Sequence, residues 1–261
     1  MAENNGWEWF QTKVQQKNGI DLTSYKRPQM ERRINSFMRS VGAVDYQAFI
    51  RMLDENAELN RKFIDHLTIN VSEFFRNNNH WDVMRQTIVP ELLKERGQLK
   101  IWSAGCSTGE EPYSLAMMMK EYFPGKFDKI WATDLDIEVL NKAQTGRYTA
   151  KSTAGMEPHM VKKYFSEQPD GMLLVKDEIK NLVRFQRQDL LKDTFPGDFD
   201  LILCRNVVIY FTEDAKEKLY RKFVGALHKN GVLFIGSTEQ IFQARELGLR
   251  SMATFFYQRI V

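Results

Sequence analysis

The feature that most constrains this chain is a change of texture at Leu99. Up to residue 95, apolar residues recur only at helical spacing. Beyond it, short apolar-rich runs at 99–102, 129–133, 199–204 and 232–235 alternate with helical stretches at 112–122, 137–144 and 213–227. Runs of this length suit buried strands. Strands that alternate with helices build βαβ units, whose strands lie parallel in one sheet. An α/β domain preceded by an all-α region follows.

The helical region has readable boundaries. Trp7, Phe10 and Val14 share a face that stops at Gly19. Pro28 suits a helix start, and Met30, Ile34, Phe37, Met38 and Val41 follow on one face. Asp45 is placed to cap a helix carrying Tyr46, Phe49, Ile50 and Leu53. Trp81, Met84 and Ile88 form a stripe broken near Pro90. The expected organisation is a helical domain over 1–78, a linker and helix over 79–96, and an α/β domain over 97–261. Residues 254–259 read as a last strand, antiparallel at an edge. Residues 147–187 fit neither pattern. They hold a helical piece at 157–165, a Pro/Gly turn at 169–171, and strand candidates at 172–175 and 182–186. A small inserted β-subdomain is expected there; a long crossover with a surface hairpin is the competing reading.

Composition excludes several classes. With 37 Lys and Arg against 34 Asp and Glu, the net charge is +3, so the chain is neither an acidic disordered tail nor a basic nucleic-acid coat. Two cysteines, Cys106 and Cys204, exclude a disulfide scaffold and are expected as free thiols. The four histidines lack metal-ligand spacing, and no metal site is expected. The start of the chain has no basic, apolar leader, and apolar runs reach only about five residues, far short of a bilayer span. A cytoplasmic, monomeric protein with no membrane insertion is expected.

The sharpest local motif is SAGCSTGEEPYS, 103–114, between a strand and a helix. A glycine loop there lets the backbone turn and approach a nucleotide at the carboxyl edge of the sheet. Glu110 and Glu111 would repel a pyrophosphate but suit a cationic ligand; equally, acidic residues favour any helix N-terminus. Asp134 ends the next strand 25 residues after Gly109, where a carboxylate can accept from both ribose hydroxyls, while Asp136 is better placed to cap the following helix. Gln188, Asp189 and Leu190 close another strand, where an amide or carboxylate side chain can read an adenine amino group. Arg205 and Asn206 follow the strand 199–204, and Tyr210 comes four residues later. Together these describe a nucleotide-like ligand that carries positive charge, and S-adenosyl-L-methionine fits.

Five segments in this order resemble the chemotaxis receptor methyltransferase family (CheR): TINVSEFFR at 68–76, WSAGCSTGEEPYS at 102–114, ATDLD at 132–136, CRNVVIYF at 204–211 and GVLFIGSTE at 231–239. The resemblance implies an all-α domain followed by a Rossmann-like class I methyltransferase domain with an inserted β-subdomain. It implies methyl transfer from S-adenosylmethionine to receptor glutamates. By motif position it implies cofactor contacts from Asn70, Ser72, Arg76, Glu111, Asp134, Asp189, Leu190, Asn206 and Val207, with Arg76 and Tyr210 nearest the methyl group. The first loop departs from the general methyltransferase signature, an acidic residue with GxGxG, and agrees with this family.

The chemistry is consistent with that implication. A glutamate side chain is ionised at neutral pH, so its attack on a sulfonium methyl needs positioning and desolvation rather than a general base. Lys26, Arg27, Arg32, Arg33 and Arg39 face a single Glu31 on the second helix, and Arg32 and Arg39 share a face. With an acidic helical substrate, that face becomes a guide. Two other classes compete: a nucleic-acid base methyltransferase, which would want an NPPY-like loop in place of RNVVIYF, and a non-catalytic receptor-binding adaptor.

Overall fold

The computed structural model describes residues 6–68, 72–237 and 239–261. Its contacts separate two units, Met1–Ile69 with Tyr210–Glu217, and Asn70–Ile209 with Lys218–Val261.

The first unit is helical: α1 (Trp7–Asn18), α2 (Arg27–Ser40), α3 (Tyr46–Glu55) and α4 (Ala57–Leu67). Each boundary has a local cause. Gly19 ends α1 in the left-handed region at φ 72°. Pro28 lies in the first turn of α2. The Asp45 carboxylate accepts from Ala48 N at 2.7 Å, and Asn56 Oδ1 from Leu59 N at 3.0 Å. The core gathers Phe10, Phe49 and Phe63; the last two meet edge to face at 5.0 Å. On α2 the buried stripe is Met30, Ile34 and Met38, and Arg32 and Arg39 are exposed. The strip Tyr210–Glu217 is tied to this unit by main chain: Lys26 N donates to Tyr210 O at 2.9 Å and Thr212 N to Ser24 O at 2.9 Å.

The second unit opens with α5 (Asn78–Val83), a π-helical turn (Met84–Ile88) and α6 (Val89–Glu95). Pro90 therefore does not break the stripe. It sits in the first turn of α6, where its missing N–H costs little, and the π turn before it absorbs the irregularity. Then follow β1 (Ile101–Ala104), α7 (Glu110–Tyr122), β2 (Ile130–Asp134), α8 (Ile137–Thr145), β3 (Arg147–Tyr148), α9 (Pro158–Tyr164), β4 (Phe165–Glu167), β5 (Leu173–Val175), α10 (Asp177–Lys180), β6 (Val183–Arg187), β7 (Phe199–Cys204), α11 (Glu213–Ala226), β8 (Leu227–Ile235), β9 (Leu249–Ala253) and β10 (Phe256–Arg259). Helix α11 begins in the Tyr210–Glu217 strip of the first unit.

The main sheet has seven strands in the order β6-β2-β1-β7-β8-β10-β9. The first five are parallel; β10 is antiparallel to both neighbours. Strands β1 and β7 are buried along their whole length, as continuous apolar runs require. Strand order reverses between β1 and β7, so the crevice for a ligand lies outside their carboxyl ends.

Two expectations are corrected. The last strand is not at an edge: β9 covers it, and Leu249–Ala253 carries too little apolar alternation to be read as a strand beforehand. The insertion is a three-stranded antiparallel sheet, β3-β5-β4. The candidate at 182–186 is no part of it; β6 pairs in parallel with β2 in the main sheet.

Candidate cofactor site

The loop after β1 is pinned to β2: Gly105 N and Cys106 N both donate to Thr133 O, at 2.8 and 2.9 Å. Gly105 has φ +77°, and a Cβ there would sit 2.4 Å from Val207 Cγ2. At Gly109, φ is +94° and a Cβ would lie 2.8 Å from Ala143 Cβ. At both glycines the chain approaches itself so closely that a Cβ would clash. Ser107 N donates to Asp134 Oδ2 at 2.8 Å and Asp136 N to Asp134 Oδ1 at 3.1 Å. Asp136 caps α8 through Glu138 N at 2.8 Å, which leaves Asp134 free of that duty.

The turn after β6 comes alongside, because Gln188 N donates to Asp134 O at 2.8 Å. Asp189 Oδ1 accepts from Leu191 N at 2.9 Å and Lys192 N at 3.3 Å, so it braces this turn; Leu190 is buried next to it.

Charge concentrates at the start of α7. Glu111 receives Ser103 Oγ at 2.8 Å on one oxygen and Arg205 Nη1 at 3.3 Å on the other. Burial pushes the Glu111 carboxyl up, and Arg205 pulls it back down. Glu110 receives Thr108 Oγ1 at 2.7 Å and the Ser72 hydroxyl; burial raises it too. Burial likewise raises Asp134. Arg205 extends past Glu111: its Nη2 donates to Arg76 O at 2.9 Å and Asn77 Oδ1 at 3.0 Å. Its guanidinium lies 4.6 Å from the Phe234 ring centroid.

The segment 72–77 is fastened on several sides. Phe75 N donates to Ser114 Oγ at 2.9 Å, and Trp81 Nε1 donates to Arg76 O at 3.1 Å. Asn206, at φ 60°, begins the turn after β7. Glu239 holds that turn by accepting from Val208 N at 3.1 Å and Gly236 N at 2.6 Å.

Ser72, Arg76, Glu111, Asp134, Asp189, Leu190, Asn206 and Val207 therefore all belong to the second unit, on the carboxyl-end loops or on the 72–77 segment bonded to them. Asn70 lies outside the described residues. Tyr210, Arg32 and Arg39 belong to the first unit. Cys106 and Cys204 are buried free thiols, and burial pushes both well up, away from thiolate chemistry. Among the described residues no metal-ligating cluster forms. The sequence reading gave Arg205 no partner and missed the roles of Glu239 and of the Ser72–Glu110 bond. One signal was available: an arginine directly after the apolar run Leu201–Cys204 must find a buried anion.

Residues 70–255 match the CheR methyltransferase SAM-binding domain, and residues 5–68 match the CheR all-α domain. The chain belongs to the CheR methyltransferase family. It is similar to the chemotaxis protein methyltransferase of Listeria innocua, 42% identical over 95% of each chain. It is also similar to that of Escherichia coli, 35% identical over 87% of this chain and 81% of the relative. Among solved structures, PKMT2 from Rickettsia typhi in complex with AdoHcy covers 53% of this chain and 21% of its own at 17% identity and a TM-score of 0.35, a likeness that adds no weight.

As a CheR methyltransferase this is an enzyme that uses S-adenosylmethionine, which sets aside the non-catalytic adaptor. The donor set suits that cofactor: three carboxylates at the switch point meet an ammonium, a sulfonium and a ribose better than any phosphate.

Proposed function

We propose that this CheR methyltransferase esterifies glutamate side chains on the cytoplasmic domains of chemotaxis receptors, within the cytoplasm and as a monomer. The observation that carries the reading is the acidic start of α7, with Glu110 buried and Glu111 held by Arg205, after a loop whose Ser107 N donates to Asp134 at the strand-order reversal. A carboxylate placed there favours a cationic nucleoside and disfavours nucleotide phosphates. The bound cofactor supplies an electrophilic methyl on sulfonium. Asp134 accepts from the ribose hydroxyls, and Glu111 faces the cationic end. Leu190 and the turn around it would hold adenine, and Asn206 and Val207 would add further cofactor contacts. Asn70 and Ser72 complete the cofactor contacts. Arg76 orients a carboxylate by charge-assisted hydrogen bonds, and the Tyr210 hydroxyl assists at the methyl group.

The acceptor carboxylate is already an anion, so the chain must orient it and exclude water rather than deprotonate it. Arg32 and Arg39, exposed on α2, guide the acidic helix of the receptor. No helix among the described residues is long and apolar enough to cross a membrane. A nucleic-acid partner is not expected, because the basic face of α2 has no interleaved aromatics to stack bases.

The test is incubation with methyl-labelled S-adenosylmethionine and receptor cytoplasmic domains, followed by mild base. Glutamate esters release volatile labelled methanol. Label that stays on the protein through base refutes the proposal.

A further inference from the structure

Arg205 is 6% exposed and links three segments: the end of β7, the start of α7 and the 76–77 stretch. It stands directly after β7. One guanidinium nitrogen reaches Glu111 on the first turn of α7, at 3.3 Å. The other reaches the main-chain oxygen of Arg76 and the side chain of Asn77, at 2.9 and 3.0 Å. Phe75 and Asn77 flank Arg76 with φ of 52° and 61°, a backbone that needs external bonds to persist. Only a planar fork can hold a carboxylate on one nitrogen and two oxygens on the other.

We propose that Arg205 is a positioning residue for methyl transfer: its fork sets the Glu111 carboxylate and the Arg76 main chain in one fixed relation. The residue at the cationic end of the cofactor and the arginine that meets the acceptor are thereby aligned through Arg205, which acts on methyl transfer through Glu111 and Arg76. This rests on the roles proposed above for Glu111 and Arg76.

The arrangement also favours the charged form of Glu111: burial raises its carboxyl, and Arg205 draws it part of the way back. The groups facing it are the Ser103 hydroxyl from β1, Arg205 beyond β7, Arg76, and the thiols of Cys106 and Cys204, which burial keeps neutral. Arg205 in turn is faced by Glu111, by Glu239 beyond β8, by Arg76 and by His80 on α5. Without Arg205, the burial that already raises Glu111 loses its main opposition, and the carboxyl takes up a proton more readily. A cationic cofactor then binds less well as pH falls.

Three variants of the full chain separate the outcomes. S-adenosylmethionine affinity is measured by calorimetry from pH 6 to 8.5, turnover by methanol release, and folding by thermal melting. Arg205→Lys keeps the charge and loses the fork. Its Kd is expected within about threefold of wild type while kcat falls about tenfold or more. Arg205→Met loses both: Kd weakens at pH 6 and recovers by pH 8.5, where the wild-type value barely moves. Glu111→Gln tests the underlying role of Glu111, and it must weaken cofactor binding on its own. Wild-type kcat in Arg205→Lys overturns the inference, leaving Arg205 a mere counter-ion. So do pH-independent losses that follow the melting temperature, which mark a purely structural role. Unchanged affinity in Glu111→Gln instead overturns the reading of the site, and the kcat of Arg205→Lys still judges the inference.

Discussion

At the scale of residues, the site is a set of carboxylates held against their preference for water. Asp134 was legible from its place at a strand end after a glycine loop, and the structure adds why its geometry is fixed: two backbone amides already hold it. Asp134→Ala is expected to weaken S-adenosylmethionine binding by about 1.5–3 kcal/mol, the range for a hydrogen bond to a charged group. Calorimetry checks it, and unchanged affinity refutes the ribose assignment. His80 gives a pH effect with a definite sign. Burial lowers its pKa, with the nearby Arg205 cation adding to the shift. A group whose folded pKa is depressed contributes stability above its unfolded pKa, near 6.5, and loses it as pH falls toward the folded value. The stability advantage of wild type over His80→Gln should therefore shrink between pH 8 and pH 5.5 in thermal melts; an advantage that grows on acidification contradicts the assignment. The Arg205 network was not legible. Its partners lie 94 and 129 residues away in sequence, and no local spacing encodes such pairing.

At the scale of elements, the pattern read well where a helix buries one stripe or a strand is buried throughout as an apolar-rich run, and failed where an element is short or weakly patterned. The α2 stripe and the β1 and β7 runs were readable for that reason. Strand β6 was assigned to the insertion because a five-residue strand says nothing about its partner; only the pairing with β2 does. The loop after β1 was recognised, but the tight packing that its glycines also serve was not. Gly105→Ala combines a left-handed φ with a Cβ 2.4 Å from Val207 Cγ2. A loss of about 2–4 kcal/mol in denaturant unfolding is expected, from backbone strain and overpacking together. Trimming Val207 to Ala in the same chain should return part of it; no recovery would place the whole cost in the backbone. On α2, reversing Arg32 and Arg39 to Glu should raise KM for receptor severalfold and leave the cofactor Kd unchanged. An unchanged KM removes the guiding role from that face.

At the scale of the whole molecule, a net charge of +3 conceals two opposite local designs, a basic helix face and an acid-lined crevice. They should answer differently to salt. The exposed face is screened within a few ångströms at high ionic strength, whereas buried pairs are screened far less. Steady-state kinetics should show KM for receptor rising with salt while the cofactor Kd holds; a parallel rise in both contradicts the division. The central claim is that the nucleophile arrives already ionised and the enzyme only positions it. The most direct test is the rate of methanol-releasing transfer against pH, at saturating cofactor and receptor, from about pH 6 to 8.5. The account predicts a flat rate across that range. A rate that climbs with unit slope to a plateau near neutrality would reveal a general base and contradict it.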